Sequence, residues 1–346
     1  MPRIAVIPGD GIGSEVLAEG IKVLGAVADD LSFEHLPYGA DHFLATGESI
    51  TSAQMQALRD FDAIYFGALG DPRVPNNAHA KEILLGMRFS LDLYINLRPC
   101  KLLDARFCPL KNKGPDELGF TVFRENTEGL YTGIGGQFKR GTPDEVAIEA
   151  EINTRKGVER IIRAAFGFAR EHGLKSVCMS DKSNAMRHGH DLWQRVFKQV
   201  ASEYPTIESF HLFVDVLTME MVRAPERFDV IVTNNLFGDI VTDLGAQLQG
   251  GIGLAASGNL NPEEGIAMFE PVHGSAPTLV GKGTANPLAA ILSAGMLMTW
   301  LGRPQAEQRI EKAVQRCLKK DLVTPELGGS LSTSQVGDAI VQELRS

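Results

Sequence analysis

The sequence predicts an α/β fold in which short buried strands alternate with longer helices. Three observations carry this prediction. Short apolar runs bounded by glycine, proline or polar residues alternate with stretches whose apolar residues recur every three or four positions. A glycine-rich turn separates the first apolar run from the first helical pattern. The chain has 346 residues, 44% hydrophobic and 22% charged, which suits about two globular domains that fold without disulfides or metal ions.

Strand–helix alternation of this kind is typical of a doubly wound α/β architecture. Each predicted strand is an apolar run that ends at a polar residue, glycine or proline; the strands cover 4–7, 32–36, 63–67, 93–97, 120–123, 176–179, 209–214 and 230–232. Each predicted helix keeps its apolar residues on one face; the helices cover 13–28, 82–89, 154–171, 185–201 and 239–248, and three more follow residue 287. No composition change marks a domain border, so interleaved domains are possible.

One segment, residues 130–151, departs from the alternation. It carries four glycines between 133 and 141 and then a run with a period of two at 146–151. A period of two predicts extended chain, so we expect a hairpin here. Such a hairpin is either an edge strand or an arm that pairs with a second subunit.

Charge and cysteine usage exclude several classes of protein. Acidic residues outnumber Lys and Arg by 43 to 34, and the net charge is −9, which argues against binding to nucleic acids or membrane surfaces. No apolar stretch approaches the roughly 18 residues of a membrane span, and the N-terminus lacks a signal-peptide core. The four cysteines form no CxxC pair, so we expect reduced thiols in a cytoplasmic protein.

The glycine-rich turn matches only part of a dinucleotide-binding fingerprint. Gly9-Asp10-Gly11-Ile12-Gly13 follows the first strand, but the sixth position of the fingerprint is Ser14 instead of glycine. The acidic residue that should close the second strand is also missing, since Asp29 and Asp30 precede that strand. A structural βα turn is therefore favoured over a Rossmann site.

Three aspartates are candidate ligands of a divalent cation. Asp239 and Asp243 are spaced i, i+4 and share one face of a predicted helix, where their repulsion costs roughly 0.2–0.5 kcal/mol unless it is offset. Asp215 follows the strand predicted at 209–214, a position where ligand sites form in α/β folds. Carboxylates without histidine or cysteine suit Mg²⁺ or Mn²⁺. Alternatively, the positive N-terminal end of the helix and the solvent offset the repulsion between these two carboxylates without a metal ion.

A lysine, a tyrosine and three arginines are candidates for binding and proton transfer. Lys182 follows a strand end, where it is either an ordinary surface residue or a general base. Arg88, Arg98 and Arg124 lie beside apolar segments and need anionic partners. Each can form a structural ion pair, but together they suit a ligand with more than one carboxylate. Tyr131 is either a packed aromatic residue or a positioned acid.

These segments occur in the order of a known family. The chain resembles the β-decarboxylating 2-hydroxyacid dehydrogenases, which act on 3-isopropylmalate, isocitrate, homoisocitrate and tartrate or D-malate. The resemblance covers essentially the whole chain, and its motifs are long. The matching segments are 7–13, 96–99, 123–131, 181–184, 235–243, 270–277 and 281–287.

The resemblance implies an isopropylmalate-dehydrogenase-like two-domain fold that is not a Rossmann fold. Residues 1–98 and 250–346 would form the terminal, dinucleotide-binding domain, and residues 99–249 the central domain, with the active site in a cleft between them. The segment 130–151 would be the arm of a homodimer. Each active site would then take its lysine and one metal aspartate from the partner subunit.

The resemblance also assigns roles to the candidate residues. Arg88, Arg98 and Arg124 would hold the substrate carboxylates, Lys182 would take the proton of the C2 hydroxyl, and Tyr131 would protonate the enolate after CO₂ leaves. The metal ligands for Mg²⁺ or Mn²⁺ would be Asp215, Asp239 and Asp243. The cofactor-binding residues would be Asn184, Glu270, His273, Gly274, Ser275, Ala276, Ala285 and Asn286.

Substrate and cofactor are less sharply indicated. Leu84 and Leu85 fall where isopropylmalate enzymes place apolar residues against the isopropyl group, which favours that substrate and a role in leucine biosynthesis. Lys81 and the segment that contains Arg124 are closer to the homoisocitrate, isocitrate or tartrate/D-malate branches, which stay open. Thr278 carries no charge that would repel or bind the 2′-phosphate that distinguishes NADP from NAD, so NAD is expected by default. Some family members are non-catalytic regulatory subunits, but this chain keeps the catalytic positions.

Overall fold

The computed structural model describes residues 1–345 as two compact units. The first unit contains Met1–Leu93, Lys101–Pro115 and the chain from Ala246 onward, and the second contains Tyr94–Cys100 and Asp116–Gly245. The segment Lys101–Pro115 thus packs with the first unit, whereas the sequence placed it with the central residues. The functional domain borders at 98/99 and 249/250 stay a prediction.

Strands and helices alternate along most of the chain, as predicted. The strands are β1 Arg3–Gly9, β2 Ser32–His35, β3 Ala63–Ala68, β4 Ile95–Lys101, β5 Gly119–Glu125, β6 Gly135–Phe138, β7 Val146–Glu149, β8 Ser176–Asp181, β9 Glu208–Phe213, β10 Val230–Thr233, β11 Ala256–Asn261 and β12 Ile266–Pro271. The helices are α1 Gly13–Val27, α2 Ala40–Thr46, α3 Ser52–Ala57, α4 Ala78–Ala80, α5 Gly86–Ser90, α6 Arg155–Glu171, α7 Arg187–Ala201, α8 Val214–Arg223, α9 Asn235–Leu248, α10 Leu288–Trp300, α11 Pro304–Lys319 and α12 Thr333–Arg345.

The first unit contains strands in the order β2-β1-β3-β12-β11. The β1–β2, β1–β3 and β3–β12 pairs are parallel, and β11–β12 is an antiparallel hairpin. Helix α10 is apolar on nearly every side and packs against α1, α11 and β12, because a helix without a polar face is buried all round. Helices α11 and α12 are amphipathic, and their Ile310, Val314, Val336 and Ile340 lie in one core cluster with Leu288 and Ile291 of α10.

The second unit contains strands in the order β4-β5-β10-β8-β9. Strands β5, β10, β8 and β9 are parallel neighbours, so their carboxyl ends lie at the same edge. Helices α6 and α7 pack on each other through apolar stripes that include Ile162, Phe166, Trp193 and Phe197. The loops that leave the four strand ends therefore gather the functional candidates of this unit.

The hairpin predicted at 130–151 is confirmed as β6 and β7. These strands pair antiparallel and place Phe138 opposite Val146 and Gly136 opposite Ile148. Directly opposite residues share a face, so Phe138, Val146 and Ile148 form one apolar face. Their exposures are 64%, 46% and 61%, so within residues 1–345 this face stays open to solvent.

Several elements differ from the prediction. Strand β4 begins at residue 95 instead of 93, and α9 begins at Asn235, four residues before the predicted start. The β11–β12 hairpin was not predicted, because its asparagines interrupt the apolar pattern. Helix α8 begins directly after β9, so Asp215 lies in the first turn of a helix and does not end a strand.

The state of the cysteines and the character of the helices follow the sequence-based expectations within the described residues. All four cysteines are free thiols, three of them buried. No helix within residues 1–345 combines the length and the apolar character that a bilayer crossing requires.

Candidate active site

Arg124 anchors a polar cluster at the carboxyl ends of β5 and β10. It is the last but one residue of β5 and is 1% exposed. Its Nε and Nη2 donate to Oδ1 of Asn235 at 3.0 and 2.8 Å, and its Nη1 donates to Oδ1 of Asp239 at 2.5 Å. A Cβ at Gly238 would lie 2.4 Å from Cγ of Arg124. Glycine at this position is therefore what lets helix α9 approach the arginine.

Two further predicted residues converge on the same carboxylate. Nη1 of Arg98 lies 3.7 Å from Oδ1 of Asp239 and donates to Oγ1 of Thr242 at 2.6 Å. The hydroxyl of Tyr131 donates to Oδ2 of Asp239 at 3.0 Å, and its ring lies 5.1 Å from the guanidinium carbon of Arg124. Asp239 thus collects two arginines and the tyrosine, which makes these four residues one site.

Asp243 lies one turn further along α9 and is exposed. Partial desolvation of its carboxylate by the neighbouring protein and the charge of Asp239 raise its pKa above the ordinary value, and the charges of Arg98 and Arg124 oppose this. The pair of acids therefore repel each other, as their i, i+4 spacing predicts. A divalent cation is a natural counter-charge for two such oxygen donors.

Lys182 and Asp215 form a separate pair in the second unit. Lys182 directly follows β8, and its Nζ lies 2.5 Å from Oδ1 of Asp215. The hydrogen bond from Lys182 lowers the pKa of Asp215 below its ordinary value. Asn184 is exposed in the turn that follows the lysine.

The three predicted metal ligands do not form one cluster in a single chain. Within residues 1–345, no group of three or more His, Cys, Asp or Glu side chains is placed to hold a metal ion. Asp239 and Asp243 supply an incomplete carboxylate set on α9, and Asp215 lies with Lys182. The donors fit Mg²⁺ or Mn²⁺ chemically, but the set needs a further ligand.

The first unit holds the remaining predicted arginine. Nη2 of Arg88 donates to Oε1 of Glu270 at 2.9 Å, and both side chains are buried. Asn259 donates to the same oxygen at 2.8 Å. Nε of Arg88 is buried and has no hydrogen-bond partner among residues 1–345. Glu270, predicted at the dinucleotide site, therefore neutralises Arg88 in this structure; its contact with a cofactor stays a prediction.

The turns before Arg88 separate core residues from accessible ones. Residues Lys81–Leu85 form a π-helical turn between α4 and α5, a feature found often at functional sites. Ile83 and Met87 are buried, whereas Leu84 and Leu85 are partly exposed. Two apolar side chains thus remain accessible, as a pocket for a hydrocarbon group requires.

The predicted dinucleotide loop packs against the glycine-rich turn. The Ile12 N–H donates to the Ser275 carbonyl at 2.9 Å, and Oγ of Ser275 donates to the Gly70 carbonyl at 2.5 Å. A Cβ at Gly11 would lie 2.0 Å from the Ser275 carbonyl oxygen, and Gly11 has φ +58°, so glycine is needed there. Ala276 adopts φ 40° and ψ 63° without being glycine.

Two buried polar atoms near this loop have unsatisfied hydrogen-bonding capacity. Nε2 of His273 and Nδ2 of Asn286 are buried and have no hydrogen-bond partner among residues 1–345. Burial lowers the pKa of His273 below its ordinary value, although its contact with the Gly274 carbonyl opposes the shift. Ala285 is fully buried. The loop therefore fits a polar ligand such as a dinucleotide, because unsatisfied buried groups need partners.

Sequence reasoning missed the amide and hydroxyl groups that hold the arginines. Asn235 and Thr242 lie within the segment 235–243, in which the sequence pattern singled out only the two carboxylates. Asn259 lies in the unpredicted strand β11. The available signal was the requirement that a buried guanidinium satisfy several donors at once.

The comparisons with known proteins point to one family. Residues 3–340 match the family described as isocitrate/isopropylmalate dehydrogenase. The 3-isopropylmalate dehydrogenase of Thermobifida fusca is 47% identical, covering 99% of this chain and 97% of its own, and that of Corynebacterium glutamicum is 47% identical, covering 99% and 100%.

Solved structures agree. An isocitrate dehydrogenase from Methylococcus capsulatus has a TM-score of 0.92 at 36% identity, with all of both chains covered. A β-decarboxylating dehydrogenase from Thermococcus kodakarensis has a TM-score of 0.82 at 37% identity, covering 100% of this chain and 96% of that one. The chain belongs to the isocitrate/isopropylmalate dehydrogenase family.

Proposed function

We propose that the chain catalyses the metal-dependent oxidative decarboxylation of 3-isopropylmalate with NAD, a step of leucine biosynthesis. The observation that carries the reaction class is the convergence of Arg98, Arg124 and Tyr131 on Asp239. The substrate is supported by relatives named 3-isopropylmalate dehydrogenase that are 46–47% identical over nearly the whole chain. The partly exposed Leu84 and Leu85 are suited to its isopropyl group.

The chemistry follows from the residue types. Losing CO₂ from a β-carboxylate requires a carbonyl that accepts the electrons, so oxidation at C2 comes first. When bound, the dinucleotide accepts the hydride and the cation polarises the C2 oxygen as a Lewis acid. Lys182 takes the C2 hydroxyl proton, and Arg88, Arg98 and Arg124 hold the carboxylates by charge-assisted hydrogen bonds. Tyr131 then protonates the substrate enolate.

The buried arginines are held ready before substrate arrives. Arg124 is fixed by Asn235 and Asp239, and Arg98 by Thr242. Because their side chains are already oriented, binding loses little further rotamer entropy. The same contacts keep Tyr131 beside the arginines, where the enolate carbon must be protonated.

We also propose that the active enzyme is a homodimer in which Lys182 and Asp215 complete the partner's site. Two observations support this. Within residues 1–345, Asp215 lies with Lys182 and no three-acid cluster forms in one chain. The hairpin β6–β7 exposes an apolar face that a second copy would cover.

Steady-state assays test the proposed substrate. Purified chain is given Mn²⁺ and NAD with 3-isopropylmalate, D-malate or isocitrate at matched concentrations, and NADH is followed by absorbance. We expect kcat/KM to be highest for 3-isopropylmalate and NAD to be preferred over NADP. The Leu84→Ser variant should lose preference for 3-isopropylmalate over D-malate by about 5–150-fold, because an apolar group contributes about 1–3 kcal/mol. A higher kcat/KM for D-malate or isocitrate would overturn the substrate assignment.

A further inference from the structure

A buried histidine contacts the backbone of the proposed base. His190 lies in the first turn of α7, and its side chain is fully buried. Its Nδ1 accepts a hydrogen bond from the backbone N–H of Lys182 at 2.7 Å. A backbone N–H only donates, so Nδ1 carries the lone pair. The imidazole is therefore neutral, and its proton is on Nε2.

The other ring nitrogen faces a buried carboxylate. Nε2 of His190 lies 3.2 Å from Oε2 and 3.3 Å from Oε1 of Glu151, whose side chain is 9% exposed. Burial acts to raise the pKa of Glu151, but the hydrogen bonds that its carboxylate accepts, first of all from His190, outweigh this and lower it. Glu151 is thus ionised and accepts the Nε2 proton, which fixes the tautomer that Lys182 requires.

The same carboxylate is linked to the helix that carries the metal-site acids. Nδ2 of Asn234 donates to Oε1 of Glu151 at 2.6 Å. Oδ1 of Asn234 accepts from the Phe237 N–H at 2.9 Å, which satisfies one of the open donors at the start of α9. A chain of hydrogen bonds therefore runs from the backbone of Lys182 to the first turn of α9.

We propose that His190 and Glu151 are positioning residues that hold the backbone of Lys182 in place relative to helix α9. This inference rests on the proposed role of Lys182 as the base. The geometry favours it over simple space filling, because an apolar side chain at 190 would fill the cavity but leave the Lys182 N–H without its acceptor. Neither residue contacts substrate; both act through the lysine.

Two substitutions at 190 separate positioning from packing. His190→Asn places Oδ1 near the position of Nδ1, so the Lys182 N–H keeps an acceptor. His190→Leu keeps the bulk and removes the acceptor. We expect kcat to fall about 10–100-fold in His190→Leu, because small displacements of a reacting group have large kinetic effects. KM for the 2-hydroxy acid should stay within about twofold, and His190→Asn should recover most of kcat.

The controls distinguish the possible failures. His188→Leu alters an exposed histidine two residues away and should leave kcat unchanged. A wild-type enzyme without 3-isopropylmalate turnover, or a Lys182→Ala variant with full turnover, would refute the proposed function itself. If the wild type is active and Lys182→Ala is inactive, unchanged kcat in His190→Leu overturns only the positioning role. Equal losses in the Asn and Leu variants also overturn it.

An NMR measurement keeps the test valid if His190→Leu does not fold. In protein labelled with ¹⁵N-lysine, the Lys182 amide proton should resonate downfield in the wild type and remain so in His190→Asn. Hydrogen exchange at this amide should be slow in both, because the acceptor is present in both. Fast exchange at Lys182 in the folded wild-type enzyme would contradict the hydrogen bond on which the inference depends.

Discussion

Asp239 shows how one carboxylate organises several functional side chains. It receives Arg124, Arg98 and the Tyr131 hydroxyl on its two oxygens, so loss of its charge would release three groups at once. The sequence singled out all four residues for separate reasons: the arginines because they lie beside apolar segments and need anions, the aspartate because of its i, i+4 spacing with a second acid, and the tyrosine as a candidate acid. The sequence pattern predicted Asp239 as a metal ligand, and it did not indicate that Arg98 and Arg124 share this carboxylate as their anionic partner.

Glu151 makes stability depend on pH in a predictable direction. Its pKa is lowered in the folded state, so its stabilising contacts are present above the unfolded value of about 4.3 and are lost as pH falls through the lower folded value. We expect Glu151→Gln to lower the free energy of unfolding by roughly 1–3 kcal/mol at pH 7. The difference from wild type should shrink below about pH 4.

Urea denaturation at a series of pH values measures this difference. Glu149→Gln is the matched control, since Glu149 is exposed on the hairpin two residues earlier; it should change stability little at any pH. If the loss of unfolding free energy in Glu151→Gln relative to wild type were the same at pH 7 and pH 3.5, this would contradict the ionic origin of the effect.

Periodicity predicted the long helices and most strands, and its failure at the hairpin β11–β12 has a clear physical cause. Helices α6, α7, α10, α11 and α12 have strong signals because each buries either one stripe or its whole surface. The hairpin β11–β12 escaped because Asn259 and Asn261 are buried in β11 as hydrogen-bond donors, to Glu270 and to the Asp92 carbonyl. Buried polar residues with tertiary partners cannot be read from a local pattern.

Helix α1 offers a test of close packing at the level of one element. A Cβ at Gly20 would lie 1.8 Å from the hydroxyl of Tyr65, which is itself buried and bonded to the Ala290 carbonyl at 2.8 Å. We expect Gly20→Ala to lower the midpoint of thermal unfolding, because overpacking costs about 1–3 kcal/mol and exceeds the helix-propensity gain of up to about 1 kcal/mol.

Gly25 on the same helix is the matched control. A Cβ there meets nothing within 4 Å, so Gly25→Ala should raise the midpoint through helix propensity alone. Both midpoints are read by calorimetry. A Gly20→Ala protein at least as stable as Gly25→Ala would show that α1 does not approach Tyr65 as described.

At the scale of the assembled molecule, the hairpin predicts the state of association. Phe138, Val146 and Ile148 share one exposed apolar face, and Ala147 points to the other face. We expect wild type to elute as a dimer in light-scattering chromatography and Ile148→Glu to elute as a monomer without turnover, because a buried unpaired charge is expensive. Ala147→Glu should remain dimeric and active. A monomeric, active wild type would refute the shared site.

The discontinuous first unit imposes an order on folding during synthesis. Its strand β12, which lies between β3 and β11, and its buried helix α10 come from the last hundred residues, whereas β1, β3 and α1 come from the first ninety. The early strands must therefore wait on the order of ten seconds at ribosomal speeds before their neighbours emerge. The second unit is completed within that interval. In newly made chains the second unit can therefore be folded while the first is still incomplete. During this interval the unpaired strands of the first unit are most exposed to aggregation, and chaperone binding matters most.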